Sequence, residues 1–390
     1  MNWQSSRRDF TKNGMGKDLY RTENEFVRWL QRLEARVSRH AGARSTKSEQ
    51  GLKLGIGDDA ALVGVEGGHD LILTTDMSIE DVHFSHRLHP AEAVGHRALA
   101  RSLSDVAAMG GVPRYVLVSL AMSKGVGRDW ISGFYRGMHA LARSFGVRLV
   151  GGDTALVCGK TFIDVLVAGE IPRGKALRRS GARTGDPIFV SGRLGLSALG
   201  LRILRSKVAQ SLLPVPGAGG LHRLAQARVP APLAREAVNA HLYPEPQCAL
   251  GRFLSRGGMA SALIDLSDGL STDLSRLCAA SGVGARLSAA KIPGPNLPDA
   301  ADSLQLALHG GEDYQLLFTV MQKKASRLPV KFQGRLLYQI GEIEASRGIK
   351  LVMPEGKVHT LEPAGWDYFR SSLARPSHYQ SFPRKRESIP

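Results

Sequence analysis

Twelve of the chain's 35 acidic residues lie in glycine-rich turns or at the ends of apolar runs. They form six motifs: GIGDD (Asp58, Asp59), TTDMSIEDVHF (Asp76, Glu80, Asp81), SLSD (Asp105), GGDT (Asp153), IDLSDGLSTD (Asp265, Asp268, Asp273) and HGGED (Glu312, Asp313). Glycine turns and strand ends let backbone approach a ligand, whereas acids that only solubilise usually sit on helix faces. Any one motif is ordinary turn chemistry, because Asp and Gly favour turns. Six in a basic chain ask for a common cause. Converging carboxylates require a hard cation, and oxygen donors without a His or Cys cluster suit Mg²⁺ rather than zinc or iron. Several Mg²⁺ ions imply polyphosphate, so phosphoryl transfer from a nucleotide is the leading chemistry.

Familiar nucleotide signatures do not account for it. GKT at 159–161 resembles the end of a P-loop, but Thr154 stands where the loop's first glycine belongs, and the strand-like FIDVLVAGEI follows where a helix is needed. An ATP site here must be held mainly by metal and acids.

The apolar pattern shows what positions these acids. Thr22 and Glu25 form a capping box ahead of Phe26, Leu30, Leu33 and Val37, so a helix starts near residue 22. DLILTTD reads as a strand ending at Asp76, residues 90–110 as a helix, YVLVSLAM as a strand, 129–145 as a helix, and VRLVGGD as a short strand running into a glycine turn. FIDVLVAGEI closes the first half. GDPIFVSG opens the second, followed by a glycine turn into a helix, a helix near 246–256, the strand SALIDLS, a helix over 270–280, the GGED loop, the strand YQLLFTV and shorter strands to about 353. Residues 206–245 are rich in Pro, Gly and Ala and carry no assignment. The order predicts a mixed α/β (α+β) layered fold of two domains, 21–180 and 181–369.

The chain has 390 residues and a formal net charge of +17. Residues 1–20 hold four Lys/Arg against two Asp, and 370–390 hold five against one Glu, so the ends carry a share of that charge. Both read as disordered extensions. SSRRDFTK resembles a twin-arginine signal but lacks the apolar segment that should follow, and Met15 offers an alternative start. No basic stripe interleaved with aromatics marks the body for nucleic acid. No run is apolar enough to span a membrane, and Cys158, Cys248 and Cys278 are too far apart for a disulfide framework or thiolate zinc site. A reducing cytoplasm is the expected setting.

GIGDDAALV, TTDMSIEDVHF, LSDVAAMGG, VGGDT, LRRSGARTGD, IDLSDGLSTDL and HGGEDYQLLFTV, in this order and spacing, resemble the thiamine-monophosphate kinase family from about Glu25 to Phe369. IDLSDGL and GGDT occur across the wider PurM-like superfamily, including aminoimidazole ribonucleotide synthetase and selenophosphate synthetase. The resemblance implies ATP-dependent phosphorylation of thiamine monophosphate to thiamine diphosphate. It implies an N-terminal sheet that dimerises into a barrel and a C-terminal α/β domain over it. By motif, Asp59, Thr74, Thr75, Asp76, Asp105, Asp153, Asp265 and Asp268 would bind several Mg²⁺ ions. Tyr135, Gly152, Asp153, Arg179 and Ser267 would contact ATP. His83, Glu312 and Trp366 would hold thiamine monophosphate, and a monovalent cation is left open. Asp58 is expected beside the metal rather than on it. No general base is required, because the acceptor phosphate is already anionic.

Between TTD and VHF, where an apolar pair and a glycine are common in the family, the chain has Ser78 and Asp81, and Asp81 is expected to add charge near the metal cluster and to alter metal number or substrate fit. Two other readings stay open: another ATP-using member of the superfamily, and a non-catalytic nucleotide- or nucleic-acid-binding protein using the basic ends. The selenophosphate branch is disfavoured because its reactive N-terminal cysteine is missing, the first cysteine being Cys158.

Overall fold

The computed structural model describes residues 22, 25–32, 51–212 and 229–367. Two compact units are present, one comprising residues 1–42 with 367–390, the other 43–366. In the first, residues 25–32 form helix α1. The Thr22 hydroxyl accepts from the Glu25 backbone N–H at 3.2 Å, the cap its sequence predicts. Leu33, Val37 and both basic ends lie outside the described residues.

The second unit contains two main sheets. The first has the order β1-β2-β3-β6-β4-β5, with β1 Leu52–Leu54, β2 Ala61–Gly64, β3 His69–Ile79, β4 Val112–Ser123, β5 Arg148–Val157 and β6 Phe162–Pro172. Only β4 and β5 pair in parallel. The second has the order β15-β14-β9-β13-β7-β10-β8, built from β7 Pro187–Val190, β8 Ala260–Asp265, β9 Gly284–Ser288, β10 Leu316–Val320, β13 Tyr338–Glu344, β14 Gly348–Val352 and β15 Val358–Thr360. A ribbon of β11 Lys331–Phe332 and β12 Arg335–Leu336 stands apart.

Helix α2 (Ala91–Ala108) lies between the sheets, against β3 and β6 on one side and β8 on the other. Thirteen of its 18 residues are buried, which is why its sequence shows no single apolar stripe. Helix α3 (Arg128–Phe145) packs on α2 with one apolar face. One core joins the inner face of the first sheet to α2, α3 and Phe189, Leu263 and Phe318 of the second sheet. A second core fills the other face of that sheet beneath α7 (Leu270–Ser281). The two remaining described helices in the expected places are α4 (Leu196–Leu212) and α6 (Cys248–Arg256).

Three features differ from expectation. VGGDT is the interior of β5 rather than a turn. A Cβ on Gly152 would come within 1.9 Å of the Val118 carbonyl oxygen, so the glycine serves close strand approach. In the unassigned stretch, Pro230 and the proline behind it start helix α5 (Ala231–Leu242), using the fixed φ that suits a first turn. Helix α8 (Ala300–His309) was not anticipated, although Asp299 caps it by accepting from Ala301 N and Asp302 N.

At the α2–α3 crossing, backbone packs directly on backbone. A Cβ on Gly95 would meet the Phe134 carbonyl oxygen at 1.8 Å, and one on Gly137 would meet the Glu92 carbonyl oxygen at 1.9 Å. Gly137→Val should therefore destabilise the protein by about 1–3 kcal/mol, through overpacking that neither backbone can relieve. A urea denaturation midpoint unchanged from wild type would contradict this.

Candidate active site

Strand alternation on β3 sends Thr74 and Asp76 inward and Thr75 outward, so TTD serves two faces of the first sheet. On the inward side, Asp59 from the GIGDD turn, Asp105 from α2 and Asp265 at the end of β8 converge. Their nearest carboxylate oxygens lie within 4.8 Å of one another. Thr74 Oγ1 donates to Asp105 Oδ2, and Ser104 Oγ donates to Asp265 Oδ2 at 2.7 Å. The Arg179 guanidinium spans Asp59 Oδ1, with Nη2 at 2.7 Å and Nε at 3.2 Å. Asp58 instead accepts from the backbone N–H groups of Asp59 and Arg179.

Burial, then the charges of Asp76, Asp265 and Asp59, push the Asp105 carboxyl well above its ordinary range. Burial followed by Asp59 and Asp273 does the same to Asp265. Asp58 is pushed up to about 6, first by burial and then by Asp59. Buried oxygens Asp59 Oδ2 and Asp76 Oδ2 have no hydrogen-bond partner. Buried polar atoms are seldom left so. An all-carboxylate site with unpaired oxygens fits a hard divalent cation such as Mg²⁺.

A second group adjoins this one. Asp268 accepts from Arg276 at 2.5 Å, and its carbonyl accepts from the Trp366 backbone N–H at 3.0 Å. The Glu312 N–H donates to the Ser267 carbonyl at 2.7 Å, so Ser267, Asp268, Glu312 and Trp366 share one loop cluster. Arg97 Nη2 donates to Glu312 Oε1 at 2.7 Å. Burial opposes ionisation of Glu312, but Arg97, His241 and Arg101 together hold its pKa down at about 2. His83 Nδ1 accepts from the Ile79 N–H at 3.0 Å, and burial lowers its pKa to about 3. With Ser78, Phe84, Val94, Arg97 and Arg101 it lines a small cavity.

Thr75 and Asp153 belong to a third group on the outer face of the first sheet. Thr75 Oγ1 donates to Asp164 Oδ1 at 2.8 Å, and register aligns Asp164 with Ser119 and Ser119 with Asp153. Gly152 lies beside Asp153 in β5. Tyr135, on α3, packs edge-on against Phe134 with ring centroids 5.1 Å apart. None of these four residues has a described contact with Asp59, Asp105 or Asp265.

The sequence reading missed Arg97, Arg101, Asp164 and His241. Arg97 and Arg101 had a visible signal, since Arg97, Arg101 and Asp105 recur every fourth residue and share one face of α2. Arg101 lies 3.7 Å from Asp76. Asp164 is the one acid in the apolar run FIDVLVAG. Asp81 does not act as expected. Its backbone adopts φ 62°, the left-handed conformation a glycine would take without strain. Its exposed carboxylate lies 3.3 Å from Lys160, which offsets the added charge.

Two outcomes follow. Asp265→Asn replaces a carboxyl whose ionisation burial and its neighbours already oppose, so the metal-free variant should melt no lower than wild type while losing stabilisation by added Mg²⁺. A variant that Mg²⁺ stabilises as it does wild type would contradict the cluster's role. His89, whose pKa burial and then Arg97 lower to about 4, stays neutral in the fold where an unfolded chain takes up a proton below 6.5. Wild type therefore loses stability as pH falls from 6.5 to 4. His89→Gln lacks that loss, so the stability gap between the two should narrow between pH 7.5 and pH 5 in urea denaturation; a gap independent of pH would contradict it.

Residues 57–171 match the AIR synthase related protein N-terminal domain, and 183–354 the corresponding C-terminal domain. The thiamine-monophosphate kinase of Bacillus subtilis is 33% identical over 336 residues, covering 85% of this chain and 98% of the relative. That of Salmonella typhimurium is 35% identical over 334 residues, covering 84% and 95%. Among solved structures, AaThiL complexed with AMPPCP and TMP superposes with TM-score 0.70 at 28% identity, covering 91% of this chain and all of that one. The thiamine-monophosphate kinase of Stenotrophomonas maltophilia gives 0.63 at 32% identity, covering 85% and 97%. The chain belongs to the thiamine-monophosphate kinase family of AIR synthase related proteins.

Proposed function

We propose that this protein transfers the γ-phosphoryl group of ATP to thiamine monophosphate, forming thiamine diphosphate and ADP. The observation that carries this reading is the converging trio Asp59, Asp105 and Asp265, with unpaired buried carboxylate oxygens on Asp59 and Asp76, in a chain of this family. The reaction must bring two anionic phosphates together. Mg²⁺ would supply charge neutralisation and alignment for in-line attack. Asp59, Asp76, Asp105 and Asp265 would hold it, with Asp268 at the margin and Thr74 fixing Asp105.

The remaining residues bind and orient. Arg179 matches phosphate geometry with its planar fork, which a lysine would not reproduce. Glu312, already ionised, presents a carboxylate to the cationic thiazolium or the aminopyrimidine. Trp366 would stack on a ring. Ser267, Tyr135, Gly152 and Asp153 are assigned to ATP, and His83 to thiamine monophosphate. No side chain need remove a proton.

We assign residues 21–180 and 181–369 to the two domains, place the protein in the cytoplasm, and infer a homodimer formed through the outer face of the first sheet. That face leaves Met77, Tyr115, Leu117 and Phe162 exposed, Met77 and Tyr115 to 51% each. An apolar sheet face of this kind usually marks an interface. Covering it would also enclose the Thr75–Asp164–Asp153 row.

Purified protein with MgATP and thiamine monophosphate should yield thiamine diphosphate and ADP, and should not phosphorylate free thiamine. Absence of product would remove the activity. Asp76→Asn should lower kcat by about a hundredfold or more; full activity would remove the metal assignment. Leu117→Glu should convert a dimer to a monomer in light scattering, and an unchanged mass would count against the outer-face interface.

A further inference from the structure

Helix α5 lies in a stretch to which the sequence pattern assigns no role, yet its last turn reaches Glu312. His241, 1% exposed, sits where both halves of the larger unit meet. From the first half, His89 Nε2 lies 2.9 Å from His241 Nε2. From the second, Ser197 Oγ lies 3.0 Å from His241 Nδ1, and Glu312 Oε2 lies 3.8 Å from the same nitrogen. The His241 carbonyl accepts from Arg97 Nη1, while Arg97 Nη2 takes Glu312 Oε1. Arg97, Glu312 and His241 thus close a ring. The GGED loop is tied to it again through Asp313, which accepts from Gly195 N at 2.6 Å and Ser197 N at 3.1 Å at the start of α4.

Glu312 needs this support. Its backbone is left-handed, at φ 65°, a conformation that persists in a non-glycine residue only when its surroundings enforce it. Arg97 is a fork that could turn toward the nearby acids. On α5 the His241 carbonyl and, at 3.4 Å, the imidazole Nδ1 of the same residue receive one arm, so the other meets a single oxygen of Glu312. The second oxygen, 3.8 Å from His241 Nδ1, is the one a ligand would take.

We propose that His241 is a positioning residue: α5 takes part in substrate recognition by seating Arg97 and through it orienting the Glu312 carboxylate. This rests on the assignment of Glu312 to thiamine monophosphate.

The test compares full-length wild type, His241→Ala, Ser197→Ala, Glu312→Gln and each double variant with Glu312→Gln. KM for thiamine monophosphate, KM for ATP, kcat and Tm are measured for each. His241→Ala should raise KM for thiamine monophosphate about tenfold while KM for ATP stays within about twofold. Adding it to Glu312→Gln should raise KM no further, because both changes act through one carboxylate. Ser197→Ala should move KM in the same direction by a smaller factor, and it decides the matter if His241→Ala fails to fold. An unchanged KM in a folded variant, or effects that multiply fully in the double variants, would overturn the inference while leaving the kinase intact. A wild-type chain that does not phosphorylate thiamine monophosphate would remove the functional reading, and this inference with it.

Discussion

Asp59, Asp105 and Asp265 present carboxylate oxygens within 4.8 Å of one another in a buried place. At an effective dielectric constant of about 20, each ionised pair at that separation would repel by roughly 3 kcal/mol. Much of the surrounding chemistry answers that repulsion. Arg179 neutralises part of Asp59, Thr74 and Ser104 donate hydroxyls to the other two acids, and Asp58 is turned toward backbone N–H groups. Burial first, and then the neighbouring carboxylates, still push Asp105 and Asp265 well above the ordinary carboxylate range. A site this costly without a cation is understandable if cation binding is its purpose.

Helix α2 connects that cluster to Glu312. Asp105 faces the acids, Arg101 approaches Asp76 one turn earlier, and Arg97 grips Glu312 one turn before that. Because α2 is buried between two sheets and crosses α3 at glycines, it cannot shift without opening a core. Asp105 and, through Arg97, Glu312 are therefore set in fixed relation by one helix. Conformational adaptation must come from the loops around them.

How much of this could be read from the sequence varied with the reach of the interactions. Strands with strict alternation, such as β3 and β6, and an amphipathic helix such as α3, were legible because one face of each meets water. The acids stood out because glycine turns expose them, and the Thr22 cap because it is local. GGDT misled: its glycines look like a turn, whereas Gly152 permits strand-on-strand approach that only a neighbouring strand reveals. Arg97 and His241 were hidden because their partners are 215 and 144 positions from Arg97 along the chain. Nor could the sequence tell that TTD divides between two faces of its sheet.

The claim on which everything else depends is that the converging acids exist to hold more than one cation between two phosphates. It is tested most directly by steady-state phosphorylation of thiamine monophosphate at fixed, saturating ATP while free Mg²⁺ is varied. The account predicts that the rate keeps rising well after all ATP is present as MgATP, and that Asp59→Asn raises the Mg²⁺ concentration needed for half-maximal rate. A rate that is already maximal at one Mg²⁺ per ATP, and indifferent to Asp59, would contradict it.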